Sequence, residues 1–230
     1  MKFGDERGIR YCQGGKIMIE ITDVLNELSK KRPVFHSEAD FQHALAWRIH
    51  EEYPDLNIRL EKRVILNEEE VYFDIFAFKD NKILVIEVKY KTKHLNTIVN
   101  VEEFSLKNQG AQDQGRYDFI KDISRLEKAM ETHCNSTGFA VFLTNDESYW
   151  KMPIDNVNTA DKDFRIHQGK TIEGKLSWKE GTSKGTMSGR EDPIRLKGEH
   201  ILNWKDYSNL QKQNGKFKYL LIDVKHGNGV

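Results

Sequence analysis

Two apolar runs, VYFDIFAFK (71–79) and KILVIEVKY (82–90), are separated only by Asp80 and Asn81. Asp and Asn tolerate the left-handed backbone that a two-residue hairpin loop demands. A tight hairpin fixes its own register, so Lys79 faces Lys82 and Asp74 faces Glu87. Directly opposed side chains in an antiparallel pair have Cβ atoms about 4.5–5.5 Å apart. Lys89 lies two residues beyond Glu87, on the same face of the strand. The register therefore gathers two carboxylates and an ammonium on one patch of a sheet whose flanking residues, Ile75, Phe76, Ile86 and Val88, are apolar.

The elements around the hairpin follow from periodicity. A short helix is expected from Met18 to Pro33, with Thr22 as its cap and Val24, Leu25 and Leu28 as its apolar face. Ser37 caps a stronger helix that ends before Pro54, with Asp40 at the capping-box position and Phe41, Leu45 and Ile49 as the buried stripe. Trp47 on this helix reads as core, and His43 as half-buried. From Ile58 the period becomes two, and three consecutive antiparallel strands fill residues 58–90, Glu68–Glu70 marking the first turn. Residues 111–133 read as a helix with Tyr117, Ile120, Ile123, Leu126 and Met130 inward, and GFAVFLTND (138–146) as a buried strand. The order helix, three strands, helix, strand is α/β with a mixed sheet.

The last third is polar. DFRIHQGKTIEGKLSWK reads as a hairpin turning at Gln168–Gly169, HILNWKDYSNL as a short helix and KYLLIDVK as a final strand. Residues 164–190 carry six Lys and Arg against Glu173 and Glu180, a local surplus of four positive charges. Trp178 and Trp204 read as a small core. The expected organisation is a leader and short helix (1–36), a core (37–146) and a C-terminal extension with a basic Gly-rich hairpin or linker (147–230).

Formal net charge is zero, which excludes a polybasic protein that grips phosphates over its whole surface and leaves room for a local basic groove. Cys12 and Cys134 have no CxxC partner, so neither a zinc ribbon nor a disulfide framework is expected. His43 and His50 lie seven apart without a third ligand nearby, and His36, His94 and His133 show no metal spacing. Without an apolar leader or a run of ~20 apolar residues, a soluble cytoplasmic protein with no membrane association is expected.

Asp74 in VYFDIFAF and Glu87-Val88-Lys89 in ILVIEVKY, with twelve residues between the acids, resemble the PD-(D/E)XK nuclease superfamily, the restriction-endonuclease-like fold. Phe73 stands where the proline of the family's name would be. The resemblance spans residues 37–146 and implies a core of helix, three-strand antiparallel meander, helix and strand, with N-terminal helical and C-terminal β-rich extensions. It implies Mg²⁺ (or Mn²⁺) held by Asp74, Glu87 and the Val88 carbonyl. Lys89 then orients or helps deprotonate the attacking water, and Glu38, on the helix before the sheet, joins the metal site. Gln112 and Gln114 become auxiliary residues by the same resemblance.

Lys91 and Lys93 continue the lysine-bearing strand as phosphate contacts, or form a solvated strand end. Lys170 and Lys175 are the basic-stretch candidates for nucleic-acid contact. The expected function is a metal-dependent endonuclease hydrolysing phosphodiester bonds, acting on DNA in preference to RNA. Double-strand cutting by one active site per chain often calls for a homodimer. The alternatives are a catalytically silent nuclease-fold protein that binds nucleic acid or a protein partner, and an unrelated α/β domain whose hairpin salt bridges mimic the motif.

Overall fold

The computed structural model describes residues 17, 19–132, 135–153 and 159–224. Cys12, His133 and Cys134, and the leader expected at 1–16, lie outside them. In chain order the main elements are α1 (Ile21–Lys31), α2 (Glu38–Glu52), β1 (Asn57–Leu66), β2 (Glu69–Lys79), β3 (Lys82–Lys91), β4 (Leu95–Val99), β5 (Glu102–Leu106), α3 (Gln112–Thr132) and β6 (Ser136–Thr144). Short pieces follow: β7 (Thr171–Ile172), β8 (Lys175–Leu176), α4 (Lys184–Met187), β9 (Ile194–Arg195) and β10 (His200–Ile201). The chain closes with β11 (Trp204–Asn209) and β12 (Lys216–Val224).

Six strands form one mixed sheet in the order β1-β2-β3-β6-β12-β11. Only β3 and β6 are parallel, and α3 lies on the crossover between them. The meander β1-β2-β3 turns at Asp80–Asn81 with Lys79 opposite Lys82, and Asp80 takes a φ of 55°. Two cores flank the sheet. Helices α1 and α2 and the β4–β5 hairpin cover one face, meeting Ile86, Val88, Tyr90, Val141 and Leu143. Helix α3 and residues of the 164–202 segment cover the other, meeting Val85, Ala140 and Phe142.

Local chemistry explains the helix starts. Ser37 Oγ accepts the Asp40 N–H at 3.1 Å, the expected cap. The Asp40 carboxylate accepts from the His36 N–H rather than from Ser37, at 2.9 Å, and both of its oxygens accept from Arg32 Nη2. Helix α1 starts after Glu20 without a side-chain cap, so Thr22 falls inside its first turn.

The C-terminal third departs from its sequence reading. HILNWKDYSNL is not helical: Trp204–Asn209 is the edge strand β11. As an edge strand it buries one aromatic on each face of the sheet, Trp204 in the α3 core and Tyr207 in the α1–α2 core, and that spacing of three imitates a helix. Residues 164–180 do turn at Gly169, but the arms do not pair with each other. β7 pairs with β10 and β8 with β9. The hairpin β4–β5 occupies residues to which the sequence reading gives no element. Trp178 stacks on Tyr117, and both Trp178 and Trp204 are core, as expected. Trp47 and His43 are exposed instead, because they stand off the Phe41–Leu45–Ile49 stripe. Among the described residues no helix is long and apolar enough to cross a membrane.

Candidate active site

The ladder between β2 and β3 runs from Lys79–Lys82 to Ile75–Ile86 and stops. Asp74 and Glu87 stand at the next position, where the strands part. The cause lies on both sides of β2. Glu61 on β1, beside Asp74, takes a φ of 49°. Gln42 on α2 donates to Glu61 Oε1 and to the Asp74 carbonyl, both at 2.7 Å. Beyond this clamp Val71 and Phe73 pack with the α3 core, although Ile75 and Ala77 on the same alternation pack with α1 and α2.

The parting leaves an open edge on β3. Its N–H groups are taken by side chains instead of a strand: Val88 donates to Asp74 Oδ2 at 2.7 Å, Tyr90 to Glu38 Oε2 at 2.7 Å and Thr92 to Gln109 Oε1 at 3.0 Å. Satisfied buried amides are the rule in folded chains; here two of the three acceptors are carboxylates. The other edge of β3 is occupied by β6 through Lys91.

Helix α3 closes the face. Lys89 Nζ lies 2.8 Å from Asp122 Oδ2, and Arg125 donates to Glu87 Oε1 at 2.9 Å and also to Asp122. Glu87 is only 2% exposed. Its carboxyl group neighbours that of Asp74, whose charge makes Glu87 harder to ionise when no cation is bound. Burial first, then Asp122 and Asp74, hold the Glu87 carboxyl well above the usual carboxylate range against the pull of Arg125 and Lys89. Burial likewise raises Asp74, opposed by the Val88 N–H and Lys89. Lys89 goes the other way: burial works against its charge, but Asp122, Glu38 and Asp74 keep the ammonium above the ordinary lysine value.

Asp74, Glu87, Lys89 and Glu38 therefore come together, and the Val88 carbonyl accepts from Lys89 Nζ at 3.3 Å. The remaining candidates lie elsewhere. Gln112 donates to Asp146 and Gln114 to the Gly185 and Thr186 carbonyls. Lys93 Nζ pairs with Asp146 at 3.4 Å, and Lys91 ends β3 partly exposed. Lys170 donates to the Lys162 and Asp163 carbonyls, and burial pushes its ammonium down to about 8. Lys175 is exposed on β8.

Asp122, Arg125, Gln42 and Gln109 are absent from the sequence reading. A signal existed for two of them. Asp122 sits three residues after Phe119 and four before Leu126, inside a buried stripe, where a lone acid needs a partner. Gln42 follows Glu38 by one helical turn, so both face the sheet.

Chemically, four carboxyl groups (Asp74, Glu87, Asp122, Glu38) surround two cations (Lys89, Arg125). Among the described residues no three His, Cys, Asp or Glu side chains converge as a metal-ligand set. The oxygen donors at the open edge are two carboxylates and a carbonyl, a combination that suits a hard divalent ion keeping several waters. The chain matches no known family model, no curated protein and no solved structure.

Proposed function

We propose that the chain is a metal-dependent nuclease that hydrolyses phosphodiester bonds, with DNA as the substrate class. The observation that carries this reading is the buried Asp74–Glu87 pair beside Lys89, at the point where β2 and β3 part. The order of elements from α2 through the meander to α3 and β6 supports a restriction-endonuclease-like core.

Asp74 and Glu87 fit the cation because they are buried and adjacent, in a cluster where carboxyl groups outnumber Lys89 and Arg125. They would hold Mg²⁺ together with the Val88 carbonyl. Bound there, the ion would polarise the phosphate and lower the pKa of a coordinated water. Lys89 supplies a fixed positive charge next to the same oxygens. Its ammonium is held too firmly to act as a base at neutral pH, so its part is to stabilise charge developing on the phosphate and to orient water. Asp122 holds Lys89 in place, and Gln42 keeps β2 bent so that Asp74 reaches the Val88 N–H. Glu38 keeps the β3 edge open to substrate by capping Tyr90.

The test is a Mn²⁺ titration by calorimetry alongside cleavage of plasmid and single-stranded DNA. Cleavage is expected with Mg²⁺ or Mn²⁺, is expected to stop with EDTA, and is expected to vanish in Asp74→Ala and Glu87→Ala. Either variant cutting at the wild-type rate removes the assignment. One observation favours a second reading. Lys89–Asp122 and Arg125–Glu87 are already paired within the fold, as in a nuclease-fold protein that binds without cutting. Metal binding without cleavage on any nucleic acid is the result that selects it.

A further inference from the structure

Behind Arg125 the candidate site continues into a cleft of about 730 Å³ between the start of β2, α3 and residues 189–195. Lys121, Arg125 and Lys128 line it from α3 at spacings of four and three, so they form one straight stripe on the helix. Arg195 faces them from the opposite wall, and Ser124 Oγ bonds the Arg195 carbonyl at 3.3 Å across the floor. Among the described residues the Lys121 and Arg195 side chains have no ion-pair partner. Lys128 meets only Glu69, at 3.9 Å. The acids of the cleft are Glu69, Glu70 and Asp192, and Glu70 is already engaged by Arg63. Arg125 joins the two regions, because the guanidinium that lines the cleft also bonds Glu87.

We infer that this cleft is the path of a single nucleic-acid strand, its phosphates held by Lys121, Lys128 and Arg195 and its course leading past Arg125 to Glu87. The inference rests on the nuclease reading and adds to it the C-terminal segment 189–195 as a wall of the substrate site. Seven helical residues rise about 10 Å, which meets at least two consecutive phosphates of a strand rising ~3.4 Å per nucleotide. A cleft of this volume takes part of one strand; a duplex, whose major groove alone is ~12 Å wide, stays outside.

The test is fluorescence polarisation with a labelled twelve-nucleotide single-stranded DNA, in EDTA so that nothing is cut. The variant is Lys121→Gln/Lys128→Gln/Arg195→Gln in the full chain, with Lys62→Gln/Lys162→Gln/Lys212→Gln as an equally neutralising control. The single changes Lys121→Gln and Arg195→Gln stand in if the triple fails to fold. The cleft variant is expected to bind tenfold or more weakly. Its log–log salt slope is expected to shallow by roughly two, at ~0.7 per phosphate on a single strand. The control should stay within twofold. Wild-type binding with the same affinity and slope in the cleft variant overturns the cleft and leaves the nuclease reading standing. Equal affinity for a hairpin duplex overturns the single-strand path. A wild-type chain that neither binds nor cuts any strand overturns both.

Discussion

Asp74 and Glu87 stand at the position just past the end of the β2–β3 ladder, and the Asp74 charge makes the buried Glu87 carboxyl harder to ionise. A carboxyl pair buried this way is a poor arrangement for stability. It persists in the fold because Gln42, Glu61 and the open edge of β3 impose it.

The first prediction follows from the sign of that shift. The Glu87 carboxyl is raised above its ordinary 4.5. The folded chain therefore keeps a proton that the unfolded chain releases. Between about pH 4.5 and the raised folded value, stability falls as pH rises. Glu87→Gln removes this penalty. In EDTA, its thermal midpoint should match wild type near pH 4.5 and rise above it by a few degrees at pH 8, at ~2–4 °C per kcal/mol for a chain of this size. Saturating Mn²⁺ should reverse the order, because it stabilises only the chain that binds it. Parallel melting curves across pH would show that burial does not disfavour the Glu87 charge.

The hairpin register was legible because a two-residue turn permits only one pairing, and Lys79–Lys82 to Ile75–Ile86 follow it. The Ser37 cap and the α2 and α3 stripes were legible for the same local reason. The bend at Asp74 was not, since it depends on Gln42 reaching across from α2, thirty-two positions away in sequence. Asp122 and Arg125 join the site only through the packing of α3 on β3. β11 buries one aromatic on each face, Trp204 and Tyr207, and so lacks the one-sided alternation by which a strand is recognised. Local chemistry thus located the acids, while long-range contacts decided their surroundings.

A second prediction concerns Lys89 and Asp122, both largely buried. Lys89→Met leaves Asp122 with Arg125 alone and should cost on the order of 3 kcal/mol. Adding Asp122→Leu should recover part of that loss, because a buried charge that has lost one of its two partners goes with it. Cleavage should stay abolished in both. Urea unfolding measures the two variants. A double variant less stable than Lys89→Met would show that the Asp122–Arg125 pair outweighs the charge left unbalanced by the lysine's removal.

A third prediction is independent of function. The β4–β5 turn is Asn100–Val101, with φ of 48° and 66°. Val101 is 97% exposed, so nothing packs on it in return for a left-handed backbone. A β-branched residue there costs roughly 1–2 kcal/mol. Val101→Gly creates the Asn-Gly pair that two-residue turns prefer and should stabilise the chain by ~1 kcal/mol. Lower stability in urea would place a tertiary contact at that turn.

The last prediction separates two roles of Glu38. Its carboxylate accepts the Tyr90 N–H at 2.7 Å and acts on Lys89 through its charge. A helix-dipole role alone would concern only the first turn of α2, yet this side chain spans to β3, fifty-two residues away. Glu38→Ala removes both acceptor and charge. Leaving the Tyr90 amide unpaired should cost ~1–3 kcal/mol. Glu38→Gln keeps an acceptor oxygen and removes only the charge, so its stability should stay within ~1 kcal/mol of wild type. If the charge helps to hold the cation or Lys89, cleavage by Glu38→Gln should fall at least ~100-fold, ~2.7 kcal/mol of transition-state stabilisation. Mn²⁺ affinity measured by calorimetry should weaken in the same variant. Wild-type cleavage and metal affinity in Glu38→Gln, with a loss of stability confined to Glu38→Ala, would reduce Glu38 to the cap of an open strand edge.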